Sequence, residues 1–325
     1  MTLETLEKLR SSHAFDHAPR RQDLAAYYVT SVDLGAKRDL ESRLEDGARN
    51  GQRLMIVGPS GCGKTSLIEY VFNPRLEGVL PIPVRLSPEP DAVVVDPQRV
   101  AQHVIHSLGD QARRAARSTH RSTDRSTTLA LGASWMGVGL SGEITRQLAT
   151  VTGPQTAAAT FEALESLLQV VHHDGYMPVL LFDDTDRWFN RENLGPAREF
   201  FEKVMPEIRE LPCGVVVTAH DIYVEDAQIL AHLKTCLEDR IDISRLGQPE
   251  NLAAVLQSRI SYHAPGNKIV DVLETDAFDA VWQRYSGQDT HDLRGVIRAL
   301  HVALTEACDD RLERIPAGLI NSSDW

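Results

Sequence analysis

The sequence predicts an α/β fold: a parallel sheet sandwiched by helices, with an inserted β-hairpin and a C-terminal α-helical lid domain. Three observations predict it. Short continuous apolar runs, Leu54 to Val57, Val179 to Phe182 and Gly214 to His220, read as strands buried on both faces. They alternate with amphipathic stretches of helical period, the rhythm of parallel strands joined by crossover helices. Residues 246–325 carry helical patterns and no strand-like run, so they read as a separate helical domain.

Residues 1–20 are polar and charged and are expected to form a helix or arm outside the core, ahead of an α/β domain over 21–245. Leu40 to Ala48 fits a helix whose carboxyl end is marked by Asn50-Gly51, and the first strand follows. Ser66 to Phe72 reads as a helix, Ile82 to Leu86 as a second strand, and Pro97 to Arg117 as a helix after a Pro-rich turn. The Gly density and approximate alternation of residues 127–144 suggest the inserted hairpin, with Trp135 and Met136 near its tip, where they either touch a partner or pack back on the domain. Phe161, Leu164, Leu167, Leu168 and Val171 recur at helical spacing and are expected in the core. Helices are expected over Pro196 to Glu210, Ile229 to Leu237, Pro249 to His263, Asp276 to Tyr285 and Asp292 to Glu306, with a last short strand at Arg240 to Ile243.

The formal net charge of -12 argues against a protein that coats nucleic acid by bulk electrostatics. One segment runs the other way: Arg113 to Arg125 holds five arginines in thirteen residues against one acid. It reads either as a phosphate-contacting patch or as a solvated helix end running into a loop. The four cysteines show no C-x-x-C spacing, so neither a zinc site nor a disulfide framework is indicated and reduced thiols are expected. No apolar run is long enough to span a bilayer, and the amino terminus lacks a signal-peptide pattern, which implies a cytoplasmic protein without a membrane partner.

The chemistry concentrates after the first strand. Gly58-Pro59-Ser60-Gly61-Cys62-Gly63-Lys64-Thr65 reads G-x-x-x-x-G-K-T between an apolar strand and a helix opening at Ser66. A turn that wraps a polyphosphate needs positive φ and close backbone approach, which glycine tolerates. Lys64 would reach the β/γ-phosphates, and the Thr65 hydroxyl would ligate Mg²⁺, an oxygen-seeking ion. The pattern implies a nucleoside triphosphate.

A second motif ends the strand at Phe182. Asp183 would hold the Mg²⁺ shell and Asp184 would act as general base toward water, since ligands of open α/β sheets bind at the carboxyl ends of strands. Acids also follow buried strands as caps or turn residues, and Asp186 could serve so. Thr218 and His220, where the strand from Gly214 emerges, each qualify to bond the attacking water or the γ-phosphate. A histidine at a strand end can equally be merely exposed.

In motif order the chain resembles an AAA+ ATPase of the P-loop NTPases, in particular the origin-recognition and STAND-like branches, over Val29 to Leu300. Leu34 to Glu45 resembles the charged helix before the phosphate loop, and Asp183-Asp184 resembles Walker B, although Asp-Glu is commoner there. Val216 to His220 resembles the sensor 1 strand, with His220 where Asn is frequent. Leu237 to Ile243 is similar to the segment that contributes an arginine finger, which makes Arg240 the trans-acting candidate. His291-Asp292-Leu293-Arg294 resembles the start of the sensor 2 helix, so Arg294 would reach the nucleotide in cis. The resemblance implies ATP and Mg²⁺ as cofactors, a homo-oligomeric ring or filament, a protein client or nucleic acid as further partner, and hydrolysis that drives conformational switching or assembly. Two rivals stand beside it: a nucleotide-gated binding module with little hydrolysis, and a P-loop kinase.

Overall fold

The computed structural model describes residues 3–16, 21–36, 39–72, 76–84, 96–121, 142–146, 156–183, 185, 194–287 and 292–322. The chain divides into two compact units: Arg43–Val57 with Arg75–Ile241, and Met1–Ser42 with Gly58–Pro74 and Asp242–Trp325.

The first unit is built on a five-stranded sheet of order β2-β3-β4-β1-β5: β1 is Arg53–Val57, β2 Val79–Pro83, β3 Met177–Phe182, β4 Gly214–Ala219 and β5 Asp239–Asp242. The pairs β2–β3, β3–β4 and β4–β1 are parallel, with Val57 opposite Ala219 and Phe182 opposite Val217. The carboxyl ends of β1, β3 and β4 therefore share one sheet edge. Continuous apolar runs form these strands because both faces are covered. Met55, Val57, Leu180, Phe182, Val215 and Val217 join one core with Val100, Val104 and Leu108 of helix α5 (Pro97–Arg121) and Leu164, Leu167 and Leu168 of α7 (Ala157–His173). On the opposite face Leu54 meets Gly47 of α3 (Leu40–Arg49), where a Cβ on the glycine would lie 2.5 Å from Leu54 Cδ1. Gly51, at φ +65°, closes α3 and hands the chain to β1, as Asn50-Gly51 predicts.

The helix expected over Pro196 to Glu210 is interrupted. It runs as α8 (Gly195–Glu199), a π-helical turn (Phe200–Val204) and α9 (Met205–Arg209), with Met205 N–H donating to the Phe200 carbonyl five residues back. Pro206 supplies the cause: it has no N–H and its ring crowds the preceding turn, so the ladder slips. The wider turn points Phe200 at Phe182 of β3 (ring centroids 5.3 Å apart) and sets Phe201 against Phe200 at 5.1 Å, both edge to face. Short helices α10 (Asp221–Glu225) and α11 (Ala227–Cys236) follow β4; Asp226 caps α11 through Gln228 and Ile229 N–H and holds Arg198 at 2.6 Å.

Two expectations need correction here. The second strand lies earlier than Ile82 to Leu86, at Val79–Pro83, because Val79 and Leu80 pair with Met177 and Pro178. Most of the expected hairpin, Trp135 and Met136 included, lies outside the described residues, but 142–146 is a helical turn, α6, in which Ile144 is buried in the sheet unit's core.

The second unit is helical. Its core joins α12 (Pro249–His263), α14 (Thr275–Ser286), α15 (Leu293–Asp309) and α16 (Ala317–Ser322) to the amino-terminal α1 (Leu3–Ser11). The expectation of an arm outside the core is overturned. Leu6, Leu9, Ala14 and Phe15 are fully buried, Arg10 pairs with Asp309 at 2.7 Å, and Thr5 donates to Asn267 at 3.1 Å. Leu3, Leu6 and Leu9 recur every three residues, an apolar stripe hidden by the charged average of the segment. The unit also holds α2 (Arg21–Ala26), α4 (Lys64–Phe72) and α13 (Ile269–Val272). Among the described residues, no helix is long and apolar enough to cross a membrane.

Candidate nucleotide site

Residues 58–65 form a turn whose shape depends on glycine at the expected places. Gly61 and Gly63 adopt φ of +75° and +105°, the left-handed region that side chains avoid. Gly58 is needed for closeness: a Cβ there would lie 2.6 Å from Cys62 Sγ and 3.0 Å from the Ile243 carbonyl. Lys64 opens α4, is 6% exposed, and donates from Nζ to the carbonyls of Gly58 at 2.7 Å and Pro59 at 2.8 Å. The ammonium group is thus folded back over the turn it would serve. Ser60 is exposed, while Cys62, Thr65 and Ser66 are half-buried. A helix start with a buried cation and glycine-bent amides is an anion-binding arrangement. At Gly63, by contrast, no atom of the described residues lies within 4 Å of where a Cβ would stand, which leaves room for a phosphate close to the backbone, and Thr65 offers the hydroxyl that Mg²⁺ prefers.

Within the same helical unit the start of α15 abuts this turn. A Cβ on Gly61 would lie 2.2 Å from Asp292 Oδ1 and 3.3 Å from both Arg294 N and Arg294 Cβ. Asp292 caps α15 by accepting the Arg294 N–H at 3.0 Å. The structure therefore brings Arg294, an exposed side chain, to the phosphate-loop candidates; His291 lies outside the described residues.

Beside α4, sequence reasoning missed a buried carboxylate. Glu41, 5% exposed, accepts from the Tyr28 hydroxyl at 2.7 Å and the Ser31 N–H at 2.8 Å through Oε1, and from the Ser31 hydroxyl at 2.5 Å through Oε2. Burial and this bond to a carboxylate push the Tyr28 phenol far above its ordinary range. The Tyr28 ring stacks on Tyr70 of α4 with centroids 4.5 Å apart, and α12 holds the same segment through Asn251 to the Leu34 carbonyl (3.1 Å) and Ser258 to the Tyr27 carbonyl (2.9 Å). No periodicity marks a buried carboxylate, so the charged stretch Leu34 to Glu45 gave no signal beyond its helix.

The strand-end candidates sit in the sheet unit. Asp183 is half-buried directly after β3, and Asp184 lies outside the described residues. Thr218 is buried, with its hydroxyl directed at the Phe182 carbonyl at 3.5 Å; Thr185 donates to the Thr218 carbonyl, and Tyr223 donates to the Thr185 carbonyl at 3.0 Å. His220 is the N-cap of α10, with Nδ1 2.6 Å from Asp221 Oδ1 and 3.3 Å from the Ile222 N–H. Both sensor candidates thus carry structural bonds. Arg240 lies exposed on edge strand β5, where its carbonyl accepts from Arg43 at 3.0 Å. Of the basic segment, the backbone is helical to Arg121, Arg113 pairs with Asp110 at 2.7 Å, and 122–125 lie outside the described residues.

No family model and no curated protein matches the sequence. Among solved structures the chain is similar to Cdc6p from Pyrobaculum aerophilum, at 14% identity over 85% of this chain and 62% of that one, with a TM-score of 0.47. It is also similar to a RuvB variant from Thermotoga maritima, at 14% identity over 87% of this chain and 65% of that one, with a TM-score of 0.37. The chain spans less than two thirds of either of these structures.

Proposed function

We propose that this protein is an AAA+-type ATPase that binds ATP with Mg²⁺ and hydrolyses it to switch conformation or assembly. The observation that carries the reading is the turn 58–65, with Gly61 and Gly63 in the left-handed region and a buried lysine at the start of the next helix. In this reading Lys64 would exchange the Gly58 and Pro59 carbonyls for β/γ-phosphate oxygens, and Thr65 and Asp183 are the residues proposed to hold Mg²⁺. Asp184 polarises the attacking water. Bound Mg²⁺ would neutralise charge that develops on the transferring phosphoryl group. Arg294 acts in cis and Arg240 in trans from a neighbouring subunit, which couples hydrolysis to assembly. A cytoplasmic homo-oligomer with a protein or nucleic-acid client fits the same scheme.

A specific observation favours a second reading, a nucleotide-gated module with little turnover: Thr218 and His220 already carry structural bonds. One experiment separates the two. Calorimetry with ATP and Mg²⁺ should show binding that Lys64→Ala weakens by at least about 100-fold, while Asp184→Asn should bind normally and release phosphate at least about 100-fold more slowly. Absence of heat from wild-type protein sinks both readings; binding with equal, negligible phosphate release from wild type and Asp184→Asn leaves the module; phosphate appearing on an acceptor indicates a kinase.

A further inference from the structure

We propose that Asp292 is a positioning residue: it seats the start of α15 on the phosphate-loop candidate and so places Arg294. The inference rests on the nucleotide reading of that loop. Two observations carry it. Asp292 Oδ1 accepts the Arg294 N–H at 3.0 Å, which fixes the backbone from which the arginine departs. The same oxygen occupies the space beside Gly61, 2.2 Å from where a Cβ would stand, and Arg294 N and Cβ follow at 3.3 Å. One carboxylate oxygen thus touches both the loop and the first turn of the helix that bears the arginine. Gly61 is constrained reciprocally, because any side chain there displaces the cap.

A cap that acted only on stability would lower the melting point and leave phosphate release per folded molecule alone. A positioning residue acts through its arginine. Asp292→Ala should therefore reduce kcat about as much as Arg294→Ala does, by roughly 10-fold or more, with a smaller change in the ATP dissociation constant. The double variant Asp292→Ala with Arg294→Ala should be no slower than Arg294→Ala alone, since residues acting as one unit do not add. Asp292→Asn keeps the cap and the volume and should recover at least half of the lost rate. Each variant is compared at a temperature where circular dichroism shows it folded. Full activity in Asp292→Ala, or a double variant slower than Arg294→Ala by the whole Asp292→Ala factor, overturns the assignment. So does an Asp292→Asn variant as slow as Asp292→Ala. Wild-type protein that binds no ATP overturns the nucleotide reading itself and this inference with it; binding and turnover by wild type with Asp292→Ala unimpaired overturn only the role of Asp292.

Discussion

The sheet unit and the helical unit place their polar residues in opposite ways. At the carboxyl ends of β3 and β4, the hydroxyls of Thr185, Thr218 and Tyr223 go to the main-chain carbonyls of Thr218, Phe182 and Thr185, and His220 caps a helix. In the helical unit, the turn 58–65 is shaped from outside, by Asp292 against Gly61 and by the Ile243 carbonyl against Gly58. The difference teaches how much a polar residue at a strand end is worth. Such a position is also where the frame needs caps and staples, whereas the turn 58–65 carries an unusual combination, left-handed glycines followed by a buried lysine, and that combination supports the proposed anion site.

The comparison can be broken first in the aromatic core of the sheet unit. Phe200→Ala should cost about 3–5 kcal/mol in urea unfolding, because it empties the edge-to-face stack between Phe182 and Phe201. A loss below about 1 kcal/mol would mean that the π-helical turn does not hold the β3 end. In the helical unit the matching element is polar. Glu41→Ala should cost about 1–3 kcal/mol, since it strands the Tyr28 and Ser31 donors in a buried setting. Glu41→Gln should recover less than half of that, because a single amide oxygen cannot replace two carboxylate oxygens that both accept.

The smallest effect sharpens the contrast through pH. Burial pushes the Tyr27 phenol up to about 12 in the helical unit and the Cys213 thiol up to about 12 in the sheet unit. Both groups stay protonated longer when folded than when unfolded, so their contribution is full below their ordinary values near 10 and 9 and is lost as pH rises toward 12. Tyr27→Phe should flatten the alkaline loss of the helical unit alone, and Cys213→Ala that of the sheet unit alone, in unfolding series from pH 8 to 12. At neutral pH, Tyr27→Phe should be neutral or stabilising by up to about 1 kcal/mol. The Tyr27 hydroxyl is buried and has no hydrogen-bond partner among the described residues, while its ring keeps Arg259 at 4.4 Å.

Much of this molecule is legible in its sequence. Apolar runs long enough for a strand and too short for a helix placed β1, β3 and β4, and Asn50-Gly51 placed the end of α3, because burial on two faces and a left-handed turn each demand particular residue types. The loop was legible for the same reason: successive left-handed turns such as those at Gly61 and Gly63 favour glycine. The amino-terminal helix was misjudged because composition averages over faces, and only the stripe Leu3, Leu6 and Leu9 betrays its burial. The π-helical turn had a visible cause in Pro206 but not a visible consequence.

What the sequence alone determined is local: strand and helix identity, the bend of the loop and the lysine that follows it, all set by neighbours along the chain. Only the tertiary structure decided that Asp292 lies against Gly61, that Glu41 gathers Tyr28 and Ser31, and that Thr218 and His220 are held in the frame. Asp292 and Gly61 meet across more than two hundred residues of chain, and a contact between elements so far apart is set by how they pack, which no local pattern encodes.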